Sequence, residues 1–182
     1  MTTPRSLVLA VVALATLTGC LRGFAPAPLG TALDAVCNPM NGELPDRGSV
    51  FQLGPAVVAV PKGWSAFRSS PQDLQLTRLD TELNVWYGGR FVFPAAEPQN
   101  AIRCTIARGD TVISIQATRL NTFSYRVDAG WAPPIEGQHF YMQLQTRYAS
   151  QLKAMRGMIE AVRFVSSDTL HGARVKAPGE GR

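Results

Sequence analysis

Between Ala56 and Val127 apolar residues recur at every second position, in short runs broken by turn residues. Ala56–Val60 is an apolar run stopped by Pro61 and Gly63, and Trp64–Arg68 alternates weakly. Leu74 and Leu76 share one side of Leu74–Leu79. Leu83, Val85 and Tyr87 share one face of the next run, which Gly88-Gly89 ends. Ile102–Ala107 and Thr111–Arg119 flank Arg108-Gly109-Asp110 and predict a hairpin, with Ile113, Ile115 and Ala117 facing inward. Phe123–Val127 is a further strand. A period of two in short runs is the mark of half-buried strands.

The period then changes. From Gln138 to about Met158, Leu144, Tyr148, Leu152, Met155 and Ile159 recur three and four residues apart, with Gln, Arg, Ser and Lys between them. That spacing predicts an amphipathic helix. Pro133-Pro134 and Gly137 form its entry loop, and Gly157 marks its end. Ala161–Val165 reads as a closing strand. The expected class is α+β: an antiparallel sheet packed by one long C-terminal helix.

Composition narrows the function classes. The chain has 182 residues, 46% hydrophobic and 17% charged, enough to fill one core. Net charge is +5, and Arg5 is the only charged residue before position 20. Basic residues are scattered among acids, so no nucleic-acid-binding stripe is present and no nucleic acid is expected as a partner. A solvated surface with dispersed Arg is the plainer meaning of the charge, with attraction to anionic headgroups or polymers the sharper one.

Residues 1–20 read MTTPRSLVLAVVALATLTGC. Arg5 precedes an apolar stretch, Leu7–Leu17, which suits a signal peptide and is too short to span about 30 Å of hydrocarbon. Leu17-Thr18-Gly19-Cys20 resembles the lipobox of bacterial lipoproteins. The resemblance implies cleavage after Gly19, lipidation of Cys20 and a permanent membrane anchor. In a two-membrane organism Leu21 at the next position implies the outer membrane, facing the periplasm. Two or three acyl chains would hold the protein far more firmly than one, which anchors only marginally. The expected organisation is a signal peptide at 1–19 and a tether with a disulfide-pinned segment at 20–47. A single domain at 48–166 and a loose tail at 167–182 follow. Leu21–Leu33, with Gly23, Pro26, Pro28 and Gly30, reads as the flexible part of that tether.

With Cys20 lipidated, Cys37 and Cys104 remain, and in an oxidising compartment one disulfide is the simplest outcome. Cys104 shares the apolar side of its strand with Ile102 and Ile106. A metal site would need more ligands than His139 and His171 can add, and no CxxC is present. No metal and no cofactor are expected.

Val58-Ala59-Val60-Pro61-Lys62-Gly63-Trp64 and the ending of helix followed by short strand at Glu160–Val165 resemble PsbP/Mog1-like domains. The resemblance implies a sheet-plus-helices fold used in binding or assembly and transfers no catalytic residues.

A hydrolase would pair His139 and Asp128 with Ser124 or Ser114, but no GxSxG elbow is present. Asp80 and Glu82 read as a charged turn rather than a glycosidase pair. Arg108-Gly109-Asp110 reads as a hairpin turn rather than an adhesion tripeptide. Trp86, opposite Leu83, Val85 and Tyr87, and Trp131, in the loop Gly130–Pro134, are the candidate binding surface for an envelope protein or glycan; a second buried face is the competing reading for both. The expected protein is a lipid-anchored, non-enzymatic binding or accessory domain. The alternative is an envelope hydrolase with a non-standard active site.

Overall fold

The computed structural model describes residues 29–41 and 47–165. Cys20, the signal segment, Leu21–Pro28, His171 and the tail lie outside them. Seven strands form one antiparallel sheet. From edge to edge they are β3 (Ser65–Ser70), β4 (Asp73–Arg78), β5 (Thr81–Tyr87), β9 (Phe140–Thr146), β8 (Ser124–Ala132), β7 (Thr111–Asn121) and β6 (Ala101–Arg108). A smaller sheet has β2 (Ala56–Pro61) between β1 (Arg47–Leu53) and β10 (Arg163–Phe164). Among the described residues there are two α-helices, α1 (Leu29–Cys37) and α2 (Ala149–Ala161).

The period-two pattern sets the inner face of the large sheet. Leu74, Val85, Met142, Ala129, Ile115 and Cys104 pair in one row across six strands. The first five are buried, and Cys104 packs against them. At about 1.5–3 kcal/mol per fully buried Leu, Ile or Met, this face is the main source of stability. Both helices and the small sheet cover it. α1 packs on β6, β7 and α2, and α2 packs on β8, β9 and β2. Phe164 of β10 sits edge-on to Phe140, with centroids 5.4 Å apart. At Gly54, between β1 and β2, an added Cβ would lie 2.4 Å from the Tyr87 ring, so only glycine lets this turn rest on the sheet.

Several expectations need correction. The long helix from Gln138 does not form. Phe140, Met142, Leu144 and Thr146 alternate inward in β9, which is hydrogen-bonded to a neighbour on each side. The helix is only α2, 13 residues long. Gly157 does not end it but is buried within it. The closing strand is two residues long and joins the small sheet. The tether does not extend to Leu33, because Leu29–Cys37 is helical and Ala32, Leu33 and Val36 are buried. Trp131 is not in a loop. It ends β8 on the inner face opposite Ile113, 4% exposed and edge-on to Phe140 at 4.8 Å.

Two linkages hold α1. Cys37 and Cys104 form a disulfide with Cα atoms 5.9 Å apart, tying the helix to β6. The buried Arg156 guanidinium donates to the Val36 carbonyl at 3.1 Å and to Glu160 at 2.6 Å. A cation at the C-terminal end of α1 also complements its dipole. All buried apolar residues among those described fall between Ala32 and Val162, so a chain starting at Leu21 keeps the whole described core.

The disulfide spans a sequence separation of 67 residues. Cys37→Ala/Cys104→Ala is expected to cost about 4 kcal/mol in the chain-entropy picture, read by urea unfolding against the oxidised protein. A loss well under 1 kcal/mol would show that α1 is held by packing and Arg156 alone.

Candidate functional site

The alternate residues of the same strands build the outer face of the large sheet. Gln75, Asn84, Gln143, Asp128, Gln116 and Arg103 pair in a polar row directly beside the apolar one. Among the described residues no α-helix covers this side. A segment from Gly88 to Asn100 crosses it instead, laying Phe91 over Gly130. An added Cβ at Gly130 would stand 2.6 Å from that ring, so glycine is needed for the crossing. Beyond it, the Pro94 carbonyl accepts from Gln116 Nε2 at 2.9 Å, and Gln116 Oε1 accepts from Arg103 Nε at 2.8 Å.

The crossing completes an aromatic ladder. Trp86 stacks on its cross-strand partner Tyr141, with ring centroids 4.3 Å apart. Tyr141 stacks on Phe91 at 4.5 Å, and Phe91 meets Phe93 edge-on at 4.7 Å. All four rings are half-buried, so the ladder is neither core nor loose surface. Beside it Asp128 is fully buried. Arg126 grips both of its oxygens at 2.9–3.1 Å, and Gln143 Nε2 donates at 3.2 Å. Burial first, and the Asp128 carboxylate second, hold the Tyr141 hydroxyl above its ordinary pKa of 10.0. At the β6 edge of this face a hollow of about 450 Å³ is lined by Phe93, Arg103, Thr105, Ser114 and Gln116, among others.

Of the two tryptophans singled out from the sequence, Trp86 lies on this open face and Trp131 in the core. The hydrolase residues do not converge. Asp128 pairs with Gln143, four positions along β9 from His139, which is about 13 Å at strand rise. Ser124 lies as far from Asp128 in the other direction along β8. Ser114 pairs with Gly130, and both Asp128 oxygens are already occupied. Asp80 and Glu82 are exposed at the β4–β5 turn. Asp80 lies 3.9 Å from Arg147, and Glu82 accepts from Asn84 at 2.5 Å. Among the described residues no three His, Cys, Asp or Glu side chains group as metal ligands would.

The sequence reading missed Phe91, Phe93 and Tyr141. Tyr141 was assigned to a helix, and the Phe91-Val92-Phe93-Pro94 segment carries no strand or helix period. Its only signal is two aromatics flanked by Gly88-Gly89 and Pro94.

No protein family matches the chain, and no curated protein sequence matches it. Solved structures of similar outline exist. Cyanobacterial PsbP (CyanoP) from Synechocystis sp. PCC 6803 is 10% identical over 64% of this chain and 92% of its own, with a TM-score of 0.45. A mutant of the protein Mog1 is 10% identical over 66% and 97%, with a TM-score of 0.42. A protein from Bacteroides thetaiotaomicron is 11% identical over 67% of this chain and 50% of its own, with a TM-score of 0.43. At such identities and scores the likeness is one of outline and transfers neither residues nor activity.

Asp128→Ala leaves Arg126 and Gln143 without their acceptor and is expected to lower unfolding free energy by about 3 kcal/mol in urea melts. Above pH 10 an unfolded chain ionises its tyrosines, whereas folding holds the Tyr141 proton on. The unfolded state then binds fewer protons, so stability falls as pH rises through and above 10. Tyr87 adds to the same decline, its pKa being raised by burial and by Glu136. Thermal melts between pH 9 and 11 (about one unit either side of the tyrosine value) should therefore decline less steeply in Tyr141→Phe than in the parent.

Proposed function

We propose that the protein is a lipid-anchored, non-enzymatic binding domain of the bacterial envelope, which grips a protein partner with the outer face of its large sheet. The observation that carries the reading is the half-buried ladder of Trp86, Tyr141, Phe91 and Phe93 on a face that no α-helix among the described residues covers. Trp, Tyr and Arg surrounded by polar groups are the residues that concentrate binding energy in protein interfaces. Stacked on one another, the rings lose little freedom when a partner arrives. The hollow under Phe93 is of a size to take a partner side chain, with Arg103 and Thr105 at its wall. The anchor rests on the signal segment and the Leu17-Thr18-Gly19-Cys20 motif.

A non-enzymatic role is favoured over hydrolysis because the Asp128 carboxylate is committed to Arg126 and Gln143, so it does not orient His139 toward Ser124 or Ser114 as a Ser-His-Asp set requires.

A photo-crosslinking amino acid at Asn84 or Thr105 should give a discrete protein adduct in cells, and one at Lys153 on α2 should not. Trp86→Ala should abolish the adduct. Equal adducts from all three positions would overturn the assigned face, and adducts containing glycan alone would replace the protein partner with a polysaccharide. Palmitate labelling that persists in Cys20→Ser would overturn the anchor.

A further inference from the structure

One end of the large sheet differs from the other. The β4–β5 turn, the β7–β8 turn and the start of α2 all lie where Thr81, Thr146 and Tyr125 pair across β5, β9 and β8. Four large apolar side chains are exposed there: Leu79 at 82%, Leu120 at 51%, Phe123 at 61% and Tyr148 at 42%. At the opposite end the two-residue turns are Pro71-Gln72 and Gly109-Asp110, the longer connection is Pro133–His139, and the large apolar residue exposed beside the β6–β7 turn is Val112, at 41%. Leu79 and Leu120 stand on either side of a cleft of about 340 Å³ beyond the end of β9.

Leu79 is the sharpest observation. Its φ is +51°, a conformation that L residues other than Asn and Asp rarely adopt. Here a Leu adopts it to hold its side chain in solvent, where it contributes nothing to the folded core. The second turn is also held in place. Arg119 donates to the carbonyls of Asn121 and Thr122, each at 3.1 Å, and the Phe123 N–H donates to Asn121 Oδ1 at 2.9 Å. Basic side chains outnumber acidic ones at this end. Lys62, Arg78, Arg119 and Arg147 lie at or next to the strand ends there, against Asp80, which is 3.9 Å from Arg147, and Glu82. Apolar side chains at fixed turn tips with an excess of cationic groups nearby match the interface of an anionic bilayer.

We infer that this end of the domain is a second membrane contact, docking on anionic phospholipid with Leu79, Leu120 and Phe123 entering the interface. The leash keeps the domain near the surface. Eight residues lie between Cys20 and Leu29, so these two Cα atoms are at most about 32 Å apart when the chain is fully extended, and an anchored domain meets the bilayer effectively intramolecularly. Only that last advantage depends on the anchor proposed above. Docking would also fix which way the open face of the sheet looks.

The test separates the tip from the anchor. Unlipidated chain 21–182, exported so that its disulfide forms, is mixed with phosphatidylglycerol/phosphatidylcholine vesicles or with phosphatidylcholine alone. It should sediment with the anionic vesicles, less so in high salt, and weakly with the neutral ones. Leu79→Asn/Phe123→Asn should lower that partition by about tenfold. Leu79→Asn by itself should weaken binding while raising the thermal midpoint by about 2 °C, because Asn suits positive φ. A residue with a merely structural role would move both in the same direction. Equal partition onto the two vesicle types, or an unchanged partition in the double variant, overturns the inference. Lipidated protein should stay on vesicles whatever its tip carries, and its release would count against the anchor, not the tip.

Discussion

The structure depends on one constraint, the continuous register that runs from β4 to β6 through six strands. Side chains alternate across a strand, so a row of cross-strand partners belongs wholly to one face. The row Leu74–Val85–Met142–Ala129–Ile115–Cys104 faces the helices, and the neighbouring row Gln75–Asn84–Gln143–Asp128–Gln116–Arg103 faces away. A slip of one residue at β8 would carry Asp128 and Arg126 together in among Met142 and Ile115. Burying both charges there, away from Gln143 and from water, would cost several kcal/mol. The Asp128–Arg126 pair thus adds little net stability where it sits, but it makes the alternative registers expensive.

The two faces are then closed by different means. The inner face is covered by α1, α2 and the small sheet, and the Cys37–Cys104 bridge and Arg156 pin α1. Among the described residues the outer face is crossed by the Gly88–Asn100 segment, whose close approach depends on the missing side chain at Gly130. Register assigns the two faces; the bridge and the glycine set how closely each is covered. The rings that the crossing brings together are the ones proposed to meet a partner.

Much of this was legible because strands with one buried face write their period into the sequence. Leu83, Val85 and Tyr87, and Ile102, Cys104 and Ile106, were placed correctly by alternation alone, and with Cys20 set aside for lipidation only Cys37 and Cys104 remained to pair. Parity also put Trp86 on the outer face. The segment from Gln138 misled because Leu144 and Tyr148 fit both periods: four residues apart is one helical turn and also two strand repeats. Central pairing of β9 with β5 and β8 decides for the strand, and pairing partners cannot be seen in a local window. Helix α1 was hidden by Gly30 and by the Pro26 and Pro28 that precede it in sequence, and burial of Leu33 and Val36 outweighs the weak propensity of Gly30 and Thr31. Of the candidate site, Trp86 could be found and Phe91 and Phe93 could not, since a crossing segment has no period to read.

The placement of exposed apolar residues follows from the same logic. Within the sheet, register gives each side chain a face, and an apolar residue on the wrong one can be corrected by pairing. At a turn no such correction operates, and polar or glycine residues satisfy the backbone best. Gly109-Asp110 at one end of the sheet conforms to this rule, whereas Leu79 and Phe123 at the other do not. Leu79 departs from it twice, in side-chain polarity and in backbone conformation, at a site where Asn would satisfy both. A contact outside the folded chain accounts for a residue that local physics disfavours on two independent counts, and the excess of Lys62, Arg78, Arg119 and Arg147 over Asp80 and Glu82 near it suits the anionic surface proposed for it.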